Sequence, residues 1–227
     1  MAEKNAPKAD VVFGVAASSM LILNKEGLLE SYAPKGIERI SEKMKDSSSM
    51  PRWVGINAWA TGLCINKLLM KKYDLPYPET WENLTNPMYK NYIATPNPAS
   101  SGSGYMNVSA WIQMWGEDLA WNYMDKLDKN VKLYTHSGTK PCAMAAQGEV
   151  AIGISSSSFA HSLIKRGAPL DIVLPKDGIG WEMEATAIIR GTNKMEAARK
   201  LMDWSTSDAV AEIGAVFSGI TAREEFM

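Results

Sequence analysis

Three short segments of the chain are rich in serine, threonine and glycine, and their residue types suit the binding of an anion. Each segment follows a predicted strand and precedes a predicted helix, where unpaired backbone N–H groups and the helix dipole favour negative charge. Glycine permits close approach to the backbone, and hydroxyl groups donate hydrogen bonds without adding charge. The segments therefore predict an anion site, whose candidate residues are Ser100, Ser101, Gly102, Ser103, His136, Ser137, Gly138, Thr139, Ser155 and Ser156.

The same residue types are also ordinary helix N-caps, so a single turn of this kind would carry little weight. No turn fits GxxxxGK[ST], which argues against a Walker-type nucleotide loop. The run GISSSS lacks the second glycine of a GxSxG nucleophile elbow. A phosphate-ester hydrolase or transferase stays a less favoured alternative, with His136 beside Ser137 as its one candidate pair of base and nucleophile.

Aromatic and acidic residues elsewhere are candidates for holding the other end of a small ligand. Trp59, in the phrase NAWATG, could cover an ammonium group with its ring. Glu182 and Glu184 lie two positions apart and could hold a ligand cation or do acid–base work, although solvation at the surface is the commoner role of such residues. Ser18 and Ser19 follow the first predicted strand and are added as ligand candidates.

Composition excludes several classes of protein. The 227 residues are 46% hydrophobic and carry a formal net charge of −1, so no basic excess would recruit nucleic acid or an anionic membrane. No run is long and apolar enough to span a bilayer, and the first residues lack the apolar core of a secretory signal. Core packing accounts for most of the eight tryptophans, and we assign Trp53 and Trp181 to it first.

The cysteines and histidines do not have metal-ligand spacing, so we predict neither a metal nor a cofactor. They are only Cys64, Cys142, His136 and His161. Whether the two cysteines pair is left open by their positions in the sequence.

Predicted strands and helices alternate along the chain, which indicates an α/β fold with mostly parallel strands. The strands are predicted at 10–16, 53–60, 92–95, 131–134, 150–154, 171–174 and 184–189, and the main helices at 105–115, 117–127, 141–147 and 194–205. In such sheets ligands bind at the carboxyl ends of strands, which is where the three serine-rich turns lie.

Four phrases of the sequence resemble one protein family. They are ADVVFGVAASSMLIL, LPYPETWENLTNPMYKNYIATPNPASSGSGY, YTHSGTKPCAMAAQGEVAIGIS and GWEMEATAIIRGTNKMEAARKLMDWS, and they cover most of residues 9–206. Together they resemble the periplasmic solute-binding proteins of ABC importers, in the 2-aminoethylphosphonate-binding branch related to ferric-ion-binding proteins. The resemblance implies a type 2 periplasmic-binding-protein fold with two α/β lobes, a ligand between them, and no catalysis.

The resemblance also implies how the chain is divided and where the anion binds. Residues 1–65 would be part of lobe 1, 66–170 lobe 2, and 171–227 a return to lobe 1. The anion site of the family falls on Ser101, Gly102 and Ser103, on the turn 136–139, and on Ser155 and Ser156. The expected partner is a membrane permease, and the expected location is periplasmic or at the cell surface.

Two departures from the family pattern qualify these expectations. Family members begin with a signal peptide and further strands of lobe 1 and continue well beyond position 227, so we expect this chain to be an internal fragment with an incomplete first lobe. Iron-binding relatives carry two adjacent tyrosines where this chain reads SSSSFA, and serine hydroxyls do not replace phenolate oxygen, which disfavours ferric ion. The sequence thus predicts capture of a small phosphonate, with 2-aminoethylphosphonate first and a sugar phosphate or inorganic phosphate as alternatives.

Overall fold

A computed structural model describes residues 7–217, 220–223 and 225, and these residues form two compact units. Unit 1 contains the described residues up to Trp59 and from Glu182 onward, and unit 2 contains residues 60–181. The chain passes from one unit to the other inside a strand each time. The assignment of residues 1–65, 66–170 and 171–227 to the lobes of a binding protein stays a prediction.

Unit 1 is built on antiparallel strands covered by helices. Its elements are β1 (Val11–Ala16), α1 (Ala17–Lys25), the first part of β2 (Val54–Asn66), β7 (Trp181–Ile188, from Glu182), α7 (Met195–Ser205), α8 (Asp208–Phe217) and β8 (Ile220–Thr221). β1 pairs with β7, and β8 with the first half of β2, both antiparallel. The core of this unit includes the fully buried side chains of Met20, Leu29 and Ile188.

Unit 2 alternates strands with helices. Its elements are the second part of β2, α2 (Lys67–Lys72), β3 (Ile93–Pro96), α3 (Gly102–Trp115), α4 (Glu117–Asp128), β4 (Val131–Thr135), α5 (Lys140–Gln147), β5 (Ile152–Ser156), α6 (Ser157–Lys165) and β6 (Leu170–Val173). β3 pairs in parallel with both β4 and β5, whereas β2 pairs antiparallel with both β5 and β6. Short 3-10 turns lie at Ile37–Arg39, Glu42–Met44, Glu82–Thr85 and Pro87–Tyr89.

The α/β class predicted from the sequence is confirmed, but the prediction of mostly parallel strands is wrong. Among the described strands, four pairings with a stated register are antiparallel and two are parallel. The main reason is β2, which continues to Asn66 rather than ending near residue 60. Because Leu63 and Ile65 are buried between strands on both sides, this part shows no polar alternation that would mark it as a strand.

Cys64 and Cys142 form a disulfide, which settles the question that the sequence left open. The bond joins β2 to the first turn of α5, both in unit 2, and both cysteines are buried. In the part of the chain that the structure describes, none of the helices is long and apolar enough to cross a membrane.

Candidate functional site

The first serine-rich turn leads from β3 into α3. Ser101 is the N-cap of α3, with an extended backbone, and its Oγ accepts a hydrogen bond from the Gly104 N–H at 3.4 Å. A Cβ built at Gly102 would meet no atom within 4 Å, so the first residue of the helix is open to an approaching ligand. The helix begins here because the cap satisfies one of its free N–H groups and leaves others available.

The second turn leads from β4 into α5. The hydroxyls of Ser137 and Thr139 lie 3.1 Å apart, and the Ser137 Oγ also accepts from the Thr139 N–H at 3.4 Å. Thr135, the last residue of β4, donates its hydroxyl proton to the Ser137 carbonyl at 2.8 Å. His136, Ser137 and Thr139 are exposed, so their polar groups are available to a ligand.

The third turn leads from β5 into α6, and its first residues are buried. Ser155 and Ser156 end the strand, with Ser155 fully buried and Ser156 8% exposed. The Ser156 and Ser158 hydroxyls lie 2.8 Å apart. No side chain caps the start of α6, so its first N–H groups are not taken up by a cap.

The structure brings these three turns into contact within unit 2. The Ser100 Oγ lies 3.0 Å from the His136 Nδ1, which joins the first turn to the second. The Ser155 Oγ donates to the Gly138 carbonyl at 2.6 Å, which joins the third turn to the second. Because β3, β4 and β5 run parallel, their carboxyl ends meet at one edge, as the sequence argument requires.

Gly138 is the point of closest approach between the turns. A Cβ at this position would lie 2.5 Å from the Ser103 Oγ and 3.0 Å from the Ser101 Oγ, so only glycine fits without moving these hydroxyls. We call residues 100–104, 136–139 and 155–158 the three-turn cluster. It presents hydroxyl groups and the N-termini of α3, α5 and α6, whose dipoles together favour an anion.

The remaining predicted site residues form a second, acidic group in unit 1. The Trp59 Nε1–H donates to the Glu184 Oε1 at 3.0 Å. Glu182 accepts from the Ser18 N–H at 3.4 Å and from the Met183 N–H at 2.9 Å. Glu182 is only 9% exposed, so its interpretation as a solvated surface residue is wrong. Ser19 follows on α1 and is half-buried.

Electrostatics in this acidic group centre on Glu184. Burial raises the pKa of its carboxyl, the hydrogen bond from Trp59 lowers it, and the nearby negative charge of Glu182 raises it again. The net direction is upward from the ordinary value of 4.5. Because burial and the negative charge of Glu182 disfavour the charged form of Glu184, this carboxylate would gain from a cation or from hydroxyl donors of a ligand.

Sequence reasoning misjudged one aromatic residue of unit 2. Trp181 was assigned first to the core, but 51% of it is exposed. Its neighbours Gly178 and Gly180 gave a partial signal, since paired glycines often mark a close approach between backbone and another element. A cluster of three or more His, Cys, Asp or Glu side chains that could hold a metal ion does not occur among residues 7–217, 220–223 and 225.

Comparison with known proteins defines the class. The model of the bacterial extracellular solute-binding protein family matches residues 6–221. An uncharacterized protein of Haemophilus influenzae is 33% identical over 218 residues, which are 93% of this chain and 62% of that protein. A probable ABC transporter periplasmic-binding protein of Sinorhizobium fredii is 25% identical over 99% of this chain and 63% of its own length.

A solved structure gives the same assignment. The periplasmic binding protein AfuA from Actinobacillus pleuropneumoniae, with exogenous fructose-6-phosphate bound, matches with a TM-score of 0.84 and 31% identity over 99% of this chain and 72% of that one. The chain belongs to the bacterial extracellular solute-binding protein family, and its mixed α/β fold is that of type 2 periplasmic binding proteins. It spans 62% and 63% of the two curated relatives.

Proposed function

We propose that the chain is the solute-binding part of an ABC importer and that the three-turn cluster holds the phosphonate or phosphate group of a small solute. The observation that carries this proposal is the contact between the three turns, each at the carboxyl end of a parallel strand and each leading into a helix. Binding, rather than catalysis, is proposed because the matched family and the relatives from Sinorhizobium fredii and Actinobacillus pleuropneumoniae are described as binding proteins.

The chemistry of the cluster suits such a group. A phosphonate carries up to two negative charges and three acceptor oxygens, and charge-assisted hydrogen bonds to it are stronger than bonds between neutral groups. The hydroxyls of Ser103, Ser137 and Thr139 and the N-termini of three helices can satisfy these oxygens. Each hydrogen bond to a charged group contributes about 1.5–3 kcal/mol.

Two kinds of solute are candidates, and they differ in the organic part that carries the phosphorus group. The acidic group of unit 1, taken by itself, suits an ammonium through Glu182, Glu184 and the Trp59 ring, and 2-aminoethylphosphonate carries such a group. A sugar phosphate is supported by the 31% identity to AfuA, whose structure has fructose-6-phosphate bound. Inorganic phosphate would need the three-turn cluster alone, and ferric ion is disfavoured by serine hydroxyls at 155–158.

The proposal includes a membrane permease as partner and the periplasm or cell surface as location. The relative in Sinorhizobium fredii is described as an ABC transporter periplasmic-binding protein, which supports both. The Cys64–Cys142 disulfide supports an oxidising compartment, since such bonds are rare in the cytosol.

Isothermal titration calorimetry against matched pairs of solutes tests the proposal. We expect 2-aminoethylphosphonate or fructose 6-phosphate to bind, and their counterparts without phosphorus, ethylamine and fructose, to bind at least about a hundredfold more weakly, because the lost hydrogen bonds and charge cost several kcal/mol. Equal affinity within each pair would show that the phosphorus group is not what the protein holds.

A pair of serine variants on α3 locates the site. Ser103→Ala removes a hydroxyl that faces Gly138 and should weaken binding by about ten- to a hundredfold, or roughly 1.5–3 kcal/mol. Ser109→Ala removes a hydroxyl six residues further along the same helix and should leave the affinity unchanged. Unchanged binding by both variants would mean that the turns are ordinary helix caps.

A further inference from the structure

Trp181 exposes a large aromatic side chain in unit 2. It is 51% exposed, in contrast to Trp111 and Trp81 of the same unit, which are 4% and 1% exposed. Leaving half of an indole in water forgoes much of the free energy that its burial would supply. Trp181 lies beside α3, the helix that begins in the first serine-rich turn.

One face of α3 carries Gly102, Met106, Ala110 and Met114, which are spaced by four residues and therefore lie in a row along the helix. The segment 178–181 packs along this row. A Cβ at Gly180 would lie 2.9 Å from the Met106 Cγ and 3.1 Å from the Ala110 Cβ, and one at Gly178 would collide with the Met114 Sδ.

The direction of the segment follows from these contacts. Gly178 packs against Met114 near the end of α3, and Gly180 packs against Met106 near its beginning, so the chain runs toward the N-terminus of the helix. Trp181 lines a recess of about 150 Å³ together with Met106 and Ala110. Met106 is about one helical turn, roughly 6 Å, from Gly102 in the first serine-rich turn.

We propose that Trp181 is a specificity-determining residue, whose indole packs against the organic body of a solute anchored by its phosphate or phosphonate group at the three-turn cluster. The favoured solutes are those whose body is a ring, because a flat apolar face on a ring gains most from contact with an indole. This inference rests on the proposed function and selects the ring-bearing class of its candidate solutes.

The chemistry of the neighbourhood supports a ring. Met106, Ala110 and Ile179 give the recess apolar walls, and methionine adapts its shape to planar partners. Gln113 also lines the recess and adds a side chain that can form hydrogen bonds, which suits a substituent on the ring. A solute with a two-carbon chain, such as 2-aminoethylphosphonate, would leave most of the indole face uncovered.

Calorimetry with three kinds of probe tests the role of Trp181. Inorganic phosphate has no organic body, 2-aminoethylphosphonate has a short chain, and phenyl phosphate and fructose 6-phosphate carry rings. Trp181→Ala should weaken binding of the ring-bearing probes by about three- to tenfold and should leave inorganic phosphate within about twofold of the parent. Trp181→Phe should recover most of the loss, because a smaller ring still stacks.

Trp121→Ala is the matched control, since Trp121 is also 51% exposed but lies on α4. Circular dichroism on each variant establishes that it is folded. The inference is overturned if Trp181→Ala weakens inorganic phosphate as much as the ring-bearing probes, or if it weakens none of them. A parent protein that binds no phosphorus compound at all would instead overturn the proposed function, so the two failures are distinct.

Discussion

At the residue scale, Glu184 is a carboxyl group whose ionised form is disfavoured by the folded state. Its carboxylate lies on β7 beside Glu182, is partly removed from water, and has the Trp59 indole N–H as a partner. One neutral hydrogen bond does not compensate fully for burial and for a neighbouring carboxylate, so the pKa of Glu184 stays above its ordinary value. A carboxylate whose charge is only partly compensated suits a cationic or hydroxyl group of a ligand, which agrees with the proposed function.

Glu184→Gln tests this interpretation through the pH dependence of stability. Because the pKa of Glu184 is raised in the folded state, the folded protein binds the proton more tightly, and its free energy of unfolding falls as pH rises above about 4.5. The variant should be at least as stable as the parent near pH 7, since glutamine still accepts from Trp59 and carries no charge. Its decline in stability between about pH 4.5 and pH 7 should be smaller.

Chemical denaturation at the two pH values supplies the measurement. Glu212→Gln, at an exposed position of α8, should keep the pH dependence of the parent. A Glu184→Gln protein that is less stable than the parent near pH 7 and keeps the parent's decline would show that the charge is well accommodated.

Single residues also mark the limits of what the sequence predicts. Residue type and spacing predicted the three serine-rich turns, because glycine and hydroxyl side chains after strands have a direct physical role. The contact between Ser100 and His136 was not predicted, since the sequence suggested His136 with its neighbour Ser137 instead. The exposure of Trp181 and the burial of Glu182 depend on packing between distant segments, and no local pattern encodes them.

At the scale of secondary-structure elements, α5 joins the three-turn cluster to the core of unit 2. The helix begins at Lys140, directly after Thr139, and Cys142 in its first turn is bonded to Cys64 on β2. The position of the second serine-rich turn is thus tied covalently to a buried strand. The closed loop spans a sequence separation of 78, so the bond restricts the unfolded chain strongly.

Removing the disulfide should lower stability measurably. The double variant Cys64→Ala, Cys142→Ala should lose about 2–4 kcal/mol of unfolding free energy, because its unfolded chain regains the entropy that the cross-link removes. Equilibrium denaturation with and without a reductant measures this. The reductant should lower the stability of the parent toward that of the variant and leave the variant unchanged. A parent insensitive to reductant in the unfolding transition would contradict the predicted contribution.

The strands of unit 2 show that the position of a strand is easier to predict from sequence than the direction in which it pairs. The alternation of strands and helices predicted the parallel set β3, β4 and β5 together with the position of its turns. It failed for β2, which comes earlier in the chain and pairs antiparallel with both β5 and β6. Local periodicity in the sequence indicates which residues are buried and whether a segment is a helix or a strand. Whether two strands from distant segments pair parallel or antiparallel is decided by tertiary packing.

At the scale of the whole molecule, family membership and the two compact units support different parts of the proposed function. The match over residues 6–221 places the chain in the bacterial extracellular solute-binding protein family, and the described residues form two compact units, each with its own predicted ligand-binding group. The sequence predicted the class because four long phrases match in order. It did not determine the solute, because the proposed contacts to its organic part depend on side chains such as Trp181, whose exposure follows from tertiary packing and not from a local pattern.

The most direct test of the central claim is a crystal structure of the chain with fructose 6-phosphate or 2-aminoethylphosphonate bound, in which the position of the phosphorus atom is observed. We predict that its oxygens lie within hydrogen-bond reach, about 2.5–3.2 Å, of hydroxyl or N–H groups in at least two of the three serine-rich turns, including Ser103 or Thr139. A phosphorus group held elsewhere, for example by lysine or arginine side chains with the three turns empty of ligand, would contradict the account.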